Sequence, residues 1–590
     1  MKYTSLYKGY DFIHEENLLD TLLINRGVEN PKRLLNLNSN EVFDGKLLKN
    51  MDKGLELLYN HIINNKIIHI IIDSDNDGYT SAAEIFLYIK DINPNIRITY
   101  SFHTGKQHGI VLDELKEFKF DLLIIPDAGT NDIKQSKILT NKGIDILILD
   151  HHDIEENNDY AIVINCKDNC YPNSTLAGAG VVYKFCKEFD KKYKYNFADK
   201  YLDLVALGCI GDIVDLRNYE TRYLVEKGLK NFGKYNELLC EIVKKQKYSL
   251  KDQVTIKGIG WYISPLINAV SRVGTQEEKE KLFKALIGEQ QIVEYQPKRK
   301  HKDDPKPDIE LHSLQQTVAR ECVNIKSRQD TMVRKSVEII KQRIADKKLT
   351  DNKLLIVDCT DILENTFTGL VANKLAEQYK RPVILLRKKE VNNELYGGSC
   401  RNYNLFPIIS FKDFLTELNT FNNLGGHSNA FGFEIHKDKL VDTNQKANEI
   451  LKNVKIEDVY KVDYEIPIGR LKTQHIKQVG EWSNIWGNSL DEPLFAVTDI
   501  YINTEKIKLI GSKKNIIKFD INNITFICKN ADEELYNKII LKQSKGLKKR
   551  IERVKLDIVG KFIINKWEEN EYPQIEIVDF NSIEDNEILF

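Results

Sequence analysis

Three carboxylates within five residues form the most distinctive chemical feature of the sequence. Asp73, Asp75 and Asp77 stand in the stretch DSDNDG, directly after the isoleucine-rich residues 67–72. Two unit charges 4 Å apart repel each other by about 1 kcal/mol in water and by about 4 kcal/mol at an effective dielectric constant of 20. A site that an apolar strand partly shields from water therefore needs a bound cation, raised pKa values or full exposure.

The acidic stretch admits other interpretations when it is taken alone. It could be a solvated acidic turn, or it could be a calcium loop with acids at positions 1, 3 and 5, Gly78 at position 6 and Glu84 at position 12. A calcium loop of that kind is entered from an amphipathic helix, whereas an apolar strand precedes this one. The motif by itself leaves the choice between these sites and a catalytic metal site open.

More acids and histidines follow the next apolar segments. Asp127 ends the predicted strand 121–126, and Asp150, His151 and His152 end the predicted strand 144–149. Ligands of open α/β sheets collect at the carboxyl ends of the strands. Mixed carboxylate and imidazole ligands suit manganese, magnesium, iron or cobalt better than a structural zinc ion. We therefore interpret the three strand ends as one metal site.

A fourth candidate ligand follows an apolar helical segment. Asp212 directly follows the apolar segment 201–211. With Asp212 included, the candidate ligands would be numerous enough to hold two metal ions. Two divalent ions roughly 3.5–4 Å apart can activate a water molecule and stabilise the leaving oxygen of a phosphodiester. Cys166 and Cys170 lie four positions apart, but no second pair completes a zinc site, so we interpret them as ordinary residues.

Short apolar strands that alternate with helices predict an α/β fold whose parallel sheet is covered on both faces. The polar, proline-rich residues 295–308 predict an exposed linker, and a long helix is predicted over 311–347. Short β segments after about residue 455 predict a small β-barrel. The predicted organisation is a leader (1–50), a catalytic domain (51–290), a linker with a connecting helix (291–350), a second α/β domain (351–457) and a barrel (458–590).

Composition says little about the ligand of the protein and more about its cellular compartment. The formal net charge is −1, which neither supports nor excludes a nucleic-acid ligand. No run approaches the roughly 20 apolar residues that span a bilayer, and the first residues lack the apolar core of a signal peptide. Nine cysteines, an odd number, favour reduced thiols. We therefore expect a cytoplasmic protein without a membrane segment.

These motifs resemble the DHH phosphoesterase superfamily and, within it, the RecJ family. Residues 73–81, Asp127, residues 150–152 and Asp212 are similar to the four motifs of the superfamily. Further segments resemble the RecJ family: 176–182 (LAGAGVV), 263–272 (ISPLINAVSR), 369–375, 381–385, 398–401 (GSCR), 424–432, 488–496 and 562–567. The resemblance implies a DHH domain and a smaller DHHA1 domain joined by the long helix, followed by an OB-like barrel.

The resemblance also implies an activity and a set of residues. It implies a 5′→3′ exonuclease that hydrolyses single-stranded DNA to mononucleotides with two divalent metal ions, Mn²⁺ before Mg²⁺, in repair or recombination. A monomer is expected, with a helicase or a single-strand-binding protein as a candidate partner. The implied metal ligands are Asp73, Asp75, Asp77, Asp127, His151 and Asp212, of which Asp75, Asp127 and His151 are catalytic together with His152. The implied substrate-binding residues are His152, Asn268, Arg272, Ser399, Arg401, Gly425, Gly426 and His427.

One departure and three alternatives stay open. The loop 101–109 lacks the arginine that the family usually carries there to fix a 5′ phosphate, and Arg97 lies in the preceding strand. His103 or Lys106 could replace it, although lysine lacks the bidentate fork of arginine. The alternatives to the exonuclease are a phosphodiesterase of short oligonucleotides or cyclic dinucleotides, a non-catalytic DNA-binding scaffold and a pyrophosphatase.

Overall fold

The computed structural model of the protein describes residues 1–7, 18–104, 107–168, 170–251, 253–297, 299, 305, 307–389, 392–455, 458–544, 547–567 and 570–584. Lys106 and the lysines at 298 and 300 lie outside the described residues. The chain divides into two compact units, Asn36–Val454 and a second unit that combines Met1–Leu35 with Lys455–Phe590. Among the described helices, none combines the length and the apolar character that crossing a bilayer requires.

The first lobe of the larger unit contains the predicted parallel sheet. Its five strands, in spatial order, are Ile98–Phe102, Ile68–Ile72, Leu122–Pro126, Asp145–Asp150 and Ile162–Asn165. Every neighbouring pair is parallel. All residues of Ile68–Ile72 and of Leu122–Pro126 are buried, which explains why both segments are almost purely apolar. The prediction of a covered parallel sheet is confirmed.

The strand order creates a crevice at one edge of this sheet. The strand Ile68–Ile72 has its successor along the chain, Ile98–Phe102, on one side and Leu122–Pro126 on the other. The direction of winding therefore reverses between Ile68–Ile72 and Leu122–Pro126. Ligands of open α/β sheets bind at such a reversal, outside the carboxyl ends of the strands. Asp73 and Asp127 follow these two strands directly.

Helices cover both faces of the sheet and extend the first lobe. They are Met51–Ile63, Asn76–Ile92, Ile133–Thr140, Gly178–Tyr193, Leu202–Gly211, Tyr219–Lys230, Glu237–Lys245, Lys247–Leu250, Ile256–Gly258, Ser264–Val273 and Gln276–Leu286. The sequence predicts a helix over 81–90, whereas the observed helix begins at Asn76, because the Asp75 side chain accepts hydrogen bonds from the Asp77 and Gly78 N–H groups and caps it.

A single long helix, Leu314–Asp346, connects the two lobes of the larger unit. Its first half, including Val318 and Cys322, is buried in the core of the first lobe, and its second half, including Val337 and Ile340, is buried in the core of the second lobe. The segment predicted to be a linker connects two short antiparallel strands, Ile292–Tyr295 and Glu310–Ser313.

The second lobe has a five-stranded mixed sheet. In spatial order its strands are Asn423–His427, Ala430–His436, Asn392–Arg401, Val383–Lys389 and Leu355–Asp358, and only the last two are parallel to each other. The helices of this lobe are Thr368–Tyr379, Phe411–Glu417 and Leu440–Leu451. The lobe is smaller than the first and is an α/β domain, as the sequence predicts.

The smaller unit is built on one seven-stranded sheet. Its strands, in spatial order, are Tyr464–Pro467, Phe495–Asn503, Arg553–Trp567, Asn570–Glu584, Ile524–Lys529, Ile516–Ile521 and Lys508–Ile510. Two short strands, Leu541–Ser544 and Leu547–Arg550, form a separate pair. Its helices are Leu18–Ile24, Pro31–Leu35, Thr473–Glu481 and Glu533–Ile540.

The first residues of the chain belong to this smaller unit. The strand Lys2–Ser5 pairs in parallel with Val459–Val462. The Arg26 guanidinium donates to both carboxylate oxygens of Asp463, at 2.8 and 3.0 Å, and lies 5.0 Å from the ring centroid of Trp486. Asp463 is buried, so its negative charge depends on this partner. A segment with little periodic pattern thus neutralises a charge more than 400 positions away.

We expect Arg26→Ala to lower the free energy of unfolding of the smaller unit by roughly 3–5 kcal/mol, because it leaves the buried Asp463 carboxylate without its cation. The change is measured by urea unfolding followed by the fluorescence of the tryptophans. Lys32→Ala, at an exposed position of the same segment, is the control and should change the free energy by less than about 0.5 kcal/mol. Equal effects of the two substitutions would contradict the assigned role of Arg26.

Candidate metal centre

The acidic turn after the first strand presents its carboxylates in different ways. Asp73 is buried at the strand end, and Asp75 caps the next helix through its Oδ1 atom. Asp77 lies in the first helical turn. A Cβ atom on Gly78 would come within 2.7 Å of the Asp73 carbonyl oxygen, so only glycine allows the turn to fold back this closely.

The segment 176–182 supplies the support for Asp77. The Gly178 and Ala179 N–H groups begin the helix Gly178–Tyr193 and donate to the two Asp77 oxygens at 2.6 and 3.1 Å. A helix N-terminus stabilises an anion in this way, through free N–H groups and the helix dipole. A Cβ atom on Gly208 would lie 2.4 Å from Asp77 Oδ1, so that glycine also makes room for the carboxylate.

Asp127 is held in an unusual backbone conformation. Its φ angle is 65°, in the left-handed region that few residues other than glycine adopt. A Cβ atom on Gly178 would lie 2.5 Å from the Asp127 Cβ atom, so a glycine is required opposite it. Asp127 Oδ1 lies 3.1 Å from His151 Nε2. Backbone strain of this kind is concentrated at functional sites.

Asp150 positions the two histidines that follow it. It is fully buried and accepts five hydrogen bonds, from the Thr130 N–H and hydroxyl, from the backbone N–H groups of His151 and His152, and from His152 Nδ1 at 2.8 Å. Its bond to His152 leaves the Nε2 atom of that ring to face outward. Burial by itself would raise the pKa of Asp150, but the bond and the charge of His152 hold it below its ordinary value. The aspartate of the DHH triplet is therefore an anchor.

The remaining predicted ligands converge on His151. His151 Nε2 lies 3.9 Å from Asp77 Oδ2 and 3.8 Å from Asp212 Oδ2. Three overlapping groups have ligand atoms within 4.8 Å of one another: Asp127, His151 and His152; Asp77, His151 and Asp212; and Asp73, Asp75 and Asp127. The structure thus brings all seven residues together at the carboxyl edge of the sheet.

The pKa values show that this cluster lacks positive charge. Burial, followed by the charge of Asp75, raises the pKa of Asp77 to about 6. Burial, followed by the charges of Asp77 and Asp75, raises the pKa of Asp212 to about 8 and that of Asp127 well above its ordinary value. Burial lowers the pKa of His151 to about 4, so this imidazole is neutral at neutral pH, as a metal ligand must be.

Two buried carboxylate oxygens give an independent test of the fit to a metal. Asp73 Oδ1 and Asp127 Oδ1 accept no hydrogen bond from any described residue. Buried polar atoms are rarely left unsatisfied, and buried carboxylates are paired or coordinate metals. Together with the neutral imidazole of His151, these oxygens form a donor set that suits Mn²⁺ or Mg²⁺.

The calcium-loop alternative is wrong. Residues from Asn76 onward are helical, and Glu84 is buried within that helix instead of closing a loop. Burial raises the pKa of Glu84 well above its ordinary value. Cys166 is buried and Cys170 is exposed, both are free thiols, and neither joins a group of candidate metal ligands among the described residues.

Two histidines that the motifs did not indicate contact Asp73. His103 Nδ1 lies 2.8 Å from Glu114 Oε2 and its Nε2 lies 3.5 Å from Asp73 Oδ1, so both nitrogens of this buried ring face carboxylates. His108 Nδ1 lies 2.7 Å from Asp73 Oδ2, and the ring is largely exposed. The His103 Nδ1 atom is hydrogen-bonded to Glu114, whereas its Nε2 makes no hydrogen bond with any described residue. Single histidines in a loop carry no spacing signal that could have revealed these contacts.

Four of the predicted substrate-binding residues, Asn268, Arg272, Ser399 and Arg401, form a second group, which carries the positive charge of two arginines. Asn268 Oδ1 accepts from the Asn76 N–H at 3.0 Å, which fixes the helix Ser264–Val273 against the acidic turn. Arg272 follows Asn268 by four positions. Burial lowers the pKa of Arg272, and the charge of Asp75 offsets part of this effect. Burial also lowers the pKa of Arg401, with a smaller contribution from Arg272. Two desolvated guanidinium groups therefore lie close together.

Arg401 reaches this place because of a glycine in the second lobe. A Cβ atom on Gly369 would lie 2.4 Å from Arg401 Nη2 and 3.6 Å from Ser399 Oγ. Ser399 and Arg401 are two positions apart on one strand and therefore point to the same face. Neither Arg272 nor Arg401 pairs with a carboxylate among the described residues, which is the arrangement expected of an anion site.

The glycine-rich hairpin lies farther from the acids. Gly425 is paired with Gly432, which is paired in turn with Ser399. Neighbouring strands are about 4.8 Å apart, so Gly425 lies about 10 Å from Ser399 across the sheet. Gly425, Gly426 and His427 are exposed, and no described contact joins them to the carboxylates.

Comparison with known proteins defines the class of this protein. Residues 67–209 match the model of the DHH family N-terminal domain, residues 351–453 that of the DHHA1 domain and residues 462–579 that of the RecJ OB domain. The crystal structure of RecJ in complex with Mn²⁺ from Thermus thermophilus superimposes with a TM-score of 0.70 at 17% identity, over 98% of this chain and 79% of that one. A structure of the same protein in complex with Mg²⁺ gives a TM-score of 0.65. The fold is that of a DHH protein with DHHA1 and OB domains.

The sequence relatives define the family more narrowly. The chain is 38% identical over 569 residues, 96% of each chain, to the SPbeta prophage-derived protein YorK of Bacillus subtilis (strain 168), whose name provisionally makes it a single-strand DNA-specific exonuclease. It is 25% identical to the single-stranded-DNA-specific exonuclease RecJ of the same organism, over 96% of this chain and 68% of that one. The chain belongs to the RecJ family of the DHH superfamily.

The raised pKa values predict how pH and metal act on stability. Asp212 has a folded pKa of about 8, above its ordinary value, so the folded state binds this proton more tightly than the unfolded state does. Its contribution to stability is complete at low pH and is lost as pH rises through the folded pKa. His152, whose hydrogen bond to Asp150 raises its pKa to about 9, acts in the same direction.

We therefore expect the melting temperature of the metal-free protein to fall between about pH 6.5 and pH 8, and the increase caused by saturating Mn²⁺ to be larger at pH 8. Both are measured by differential scanning fluorimetry with and without EDTA. Asp212→Asn, which cannot titrate there, should show a weaker pH dependence and a smaller increase with Mn²⁺. A variant curve identical to the wild-type curve would contradict the assigned role of Asp212.

Proposed function

We propose that this protein is a metal-dependent exonuclease that hydrolyses single-stranded DNA from its 5′ end. The observation that carries the proposal is the adjacency of two groups of opposite charge: carboxylates without enough cations, and two partly buried arginines that pair with no carboxylate among the described residues. A phosphodiester bound between two divalent ions and the arginines would satisfy both groups. The names of the relatives support single-stranded DNA as the substrate.

We assign the two ions to six of the seven clustered residues. Asp75, Asp77, Asp127, His151 and Asp212 would hold them, with Asp73 at the edge of the set. The ions, when bound, supply a Lewis acid for the phosphoryl oxygen and lower the pKa of a water molecule. His152 is protonated at neutral pH because of Asp150, and its outward Nε2–H can donate to a phosphate oxygen. The helix N-terminus at Gly178 keeps Asp77 ionised and in place.

We assign the arginine pair to the terminal phosphate of the strand. A guanidinium fork binds two phosphate oxygens, and burial strengthens each bond. Because Ser399 and Arg401 share a strand face, the Ser399 hydroxyl can add a third donor. In the described part of the loop that lacks an arginine, His103 is buried between the carboxylates of Glu114 and Asp73. Arg272 and Arg401 would therefore carry most of the preference for a 5′ phosphate.

The alternatives are weaker for specific reasons. A non-catalytic scaffold would not need the strained Asp127 or the unsatisfied oxygens of Asp73 and Asp127. A phosphodiesterase of short oligonucleotides or cyclic dinucleotides, or a pyrophosphatase, would not need the domain matched to the RecJ OB domain. Such domains hold single strands by stacking and charge.

The wider setting follows from the same activity. We propose that the protein acts as a monomer in the cytoplasm, where its nine free thiols are stable. A helicase or a single-strand-binding protein would supply its substrate, and repair or recombination would be its context. The five segments bounded at residues 50, 290, 350 and 457 stay our proposal for its functional domains.

The decisive test uses one long single strand labelled at the 5′ end in one sample and at the 3′ end in another. With Mn²⁺ we expect labelled mononucleotide at once from the 5′ label only, and none with EDTA. Early release from the 3′ label would keep the phosphodiesterase but reverse the polarity. Faster turnover of dinucleotides than of long strands would favour the short-oligonucleotide enzyme.

Asp127→Asn should lower the cleavage rate of this strand by roughly 10³-fold or more, because the site loses a ligand charge that the ions require. Asp153→Asn is the matched control, since this carboxylate directly follows His152 in the sequence but is 91% exposed. The cleavage rate of this variant should stay within about twofold of wild type. Circular dichroism checks that both variants fold. A folded Asp127→Asn protein with substantial activity would contradict the metal site.

Arg401→Ala should lower kcat/KM for a 5′-phosphorylated strand by about 10- to 100-fold, the loss expected for charge-assisted hydrogen bonds to a phosphate. The same strand with a 5′ hydroxyl should change by less than about threefold. Arg401→Lys should recover little, because lysine lacks the fork. Equal losses on the two strands would mean that Arg401 does not bind the terminal phosphate.

A further inference from the structure

An aromatic side chain is exposed in the turn that precedes the helix Ser264–Val273. Residues Ile259–Ile263 form a single π-helical turn in front of the helix Ser264–Val273. Trp261 in this turn is 70% exposed, and it makes no hydrogen bond or ring contact with any described residue. Trp486, by contrast, is buried beneath Arg26. π-helical turns are rare and occur frequently at functional sites.

The turn packs against the helix that ends at Asp212. A Cβ atom on Gly260 would lie 3.6 Å from Ile210 Cγ2, and one on Gly211 would lie 2.9 Å from Ser264 Oγ. The turn that carries Trp261 therefore lies next to the C-terminal end of the helix Leu202–Gly211, which Asp212 follows.

The residue after Asp212 is apolar and exposed as well. Ile213 is 71% exposed and has a φ angle of 58°. A β-branched residue in the left-handed region is a genuine outlier, and backbone strain of this kind is concentrated at functional sites. Tyr262, next to Trp261, is 41% exposed. Three large apolar side chains thus face solvent around the C-terminal end of one helix, at a position where folding alone gives no reason for them.

The helix Ser264–Val273 sets the order of the site. Arg272 follows Trp261 by eleven positions, which corresponds to about 16 Å along a helix axis. Asn268 lies between them and is bonded to the backbone next to Asp75. Along this segment, the contact with the acidic turn therefore lies between Arg272 at one end and Trp261 at the other.

We propose that Trp261, flanked by Ile213 and Tyr262, is a stacking platform for a base of the single strand on the 3′ side of the scissile phosphate. The inference rests on the proposed function, because it takes the terminal phosphate to lie at Arg272 and Arg401. A strand that is held there and passes the metal centre continues toward Trp261. Every base has a π face, so a tryptophan platform holds the strand without a preference for sequence.

Binding in EDTA tests the platform without any cleavage. The probe is a 5′-phosphorylated, 12-nucleotide oligothymidylate with a 3′ fluorophore, and the readout is fluorescence anisotropy with the full-length protein. Trp261→Ala should weaken binding about tenfold, the loss of one stacked base, and Trp261→Phe should stay within about threefold of wild type.

Tyr235→Ala is the matched control for this binding experiment. Tyr235 is 53% exposed. Its turn packs at the N-terminal end of the helix Leu202–Gly211, where the Gly233 N–H donates to Asp203. This variant should bind the probe as the wild type does. Equal binding by wild type and Trp261→Ala would overturn the proposal. Absence of binding by the wild type would overturn the proposed function and this inference together.

Abasic substrates locate the base that stacks. In a series of 12-nucleotide strands with one abasic position each, kcat/KM of the wild type with Mn²⁺ should drop about tenfold at one internal position. Trp261→Ala should be insensitive to that same abasic position, since the two changes remove one interaction. Additive losses at every position would overturn the proposal while the exonuclease activity of the wild type remained in evidence.

Discussion

Mutual repulsion among the carboxylates at one sheet edge governs how the candidate metal centre is built. Asp73, Asp77 and Asp127 are buried within contact distance of one another or of His151, where like charges repel more strongly than in water. The protein meets part of this cost itself. The helix N-terminus at Gly178 donates hydrogen bonds to Asp77, and Asp75 caps the helix Asn76–Ile92. His103 and His108 both face Asp73. The remaining deficit of positive charge appears as raised pKa values, and divalent ions would remove it.

Several glycines allow the acids to approach one another, and one helix fixes where the arginines lie relative to the acids. Gly78, Gly178 and Gly208 stand where a Cβ atom would collide with an aspartate, so the acids approach as closely as they do only because these positions lack side chains. The helix Ser264–Val273 then places Asn268 at the acids and Arg272 beyond them, next to Arg401 of the second lobe. The long helix Leu314–Asp346 is buried in the cores of both lobes, which fixes the distance between the arginines that the two lobes contribute.

The smaller unit shows a similar dependence on distant residues. Its seven-stranded sheet comes from the end of the chain, yet the charge of Asp463 is neutralised by Arg26. Lys2–Ser5 also forms a separate two-stranded sheet with Val459–Val462. The match of residues 462–579 to the RecJ OB domain leaves this N-terminal contribution out. Both ends of the chain are therefore needed to complete one unit, and the larger unit lies between them in the sequence.

Apolar runs and the spacing of acids are local features, so they were sufficient to predict the parallel sheet, the two α/β lobes, the long helix and the residues that carry the motifs. The sequence also indicated Asp127 and Asp212 as strand-end and helix-end acids. It did not reveal that Asp150 anchors His152 or that backbone N–H groups of residues 176–182 donate to Asp77. Nor did it reveal that His108 contacts Asp73 or that Arg26 pairs with Asp463. Each of these depends on atoms brought together from distant positions, and a hydrogen bond between such positions leaves no periodic pattern. The exposure of Trp261 likewise became visible only when the packing of the turn against the neighbouring helix had fixed which of its side chains face solvent.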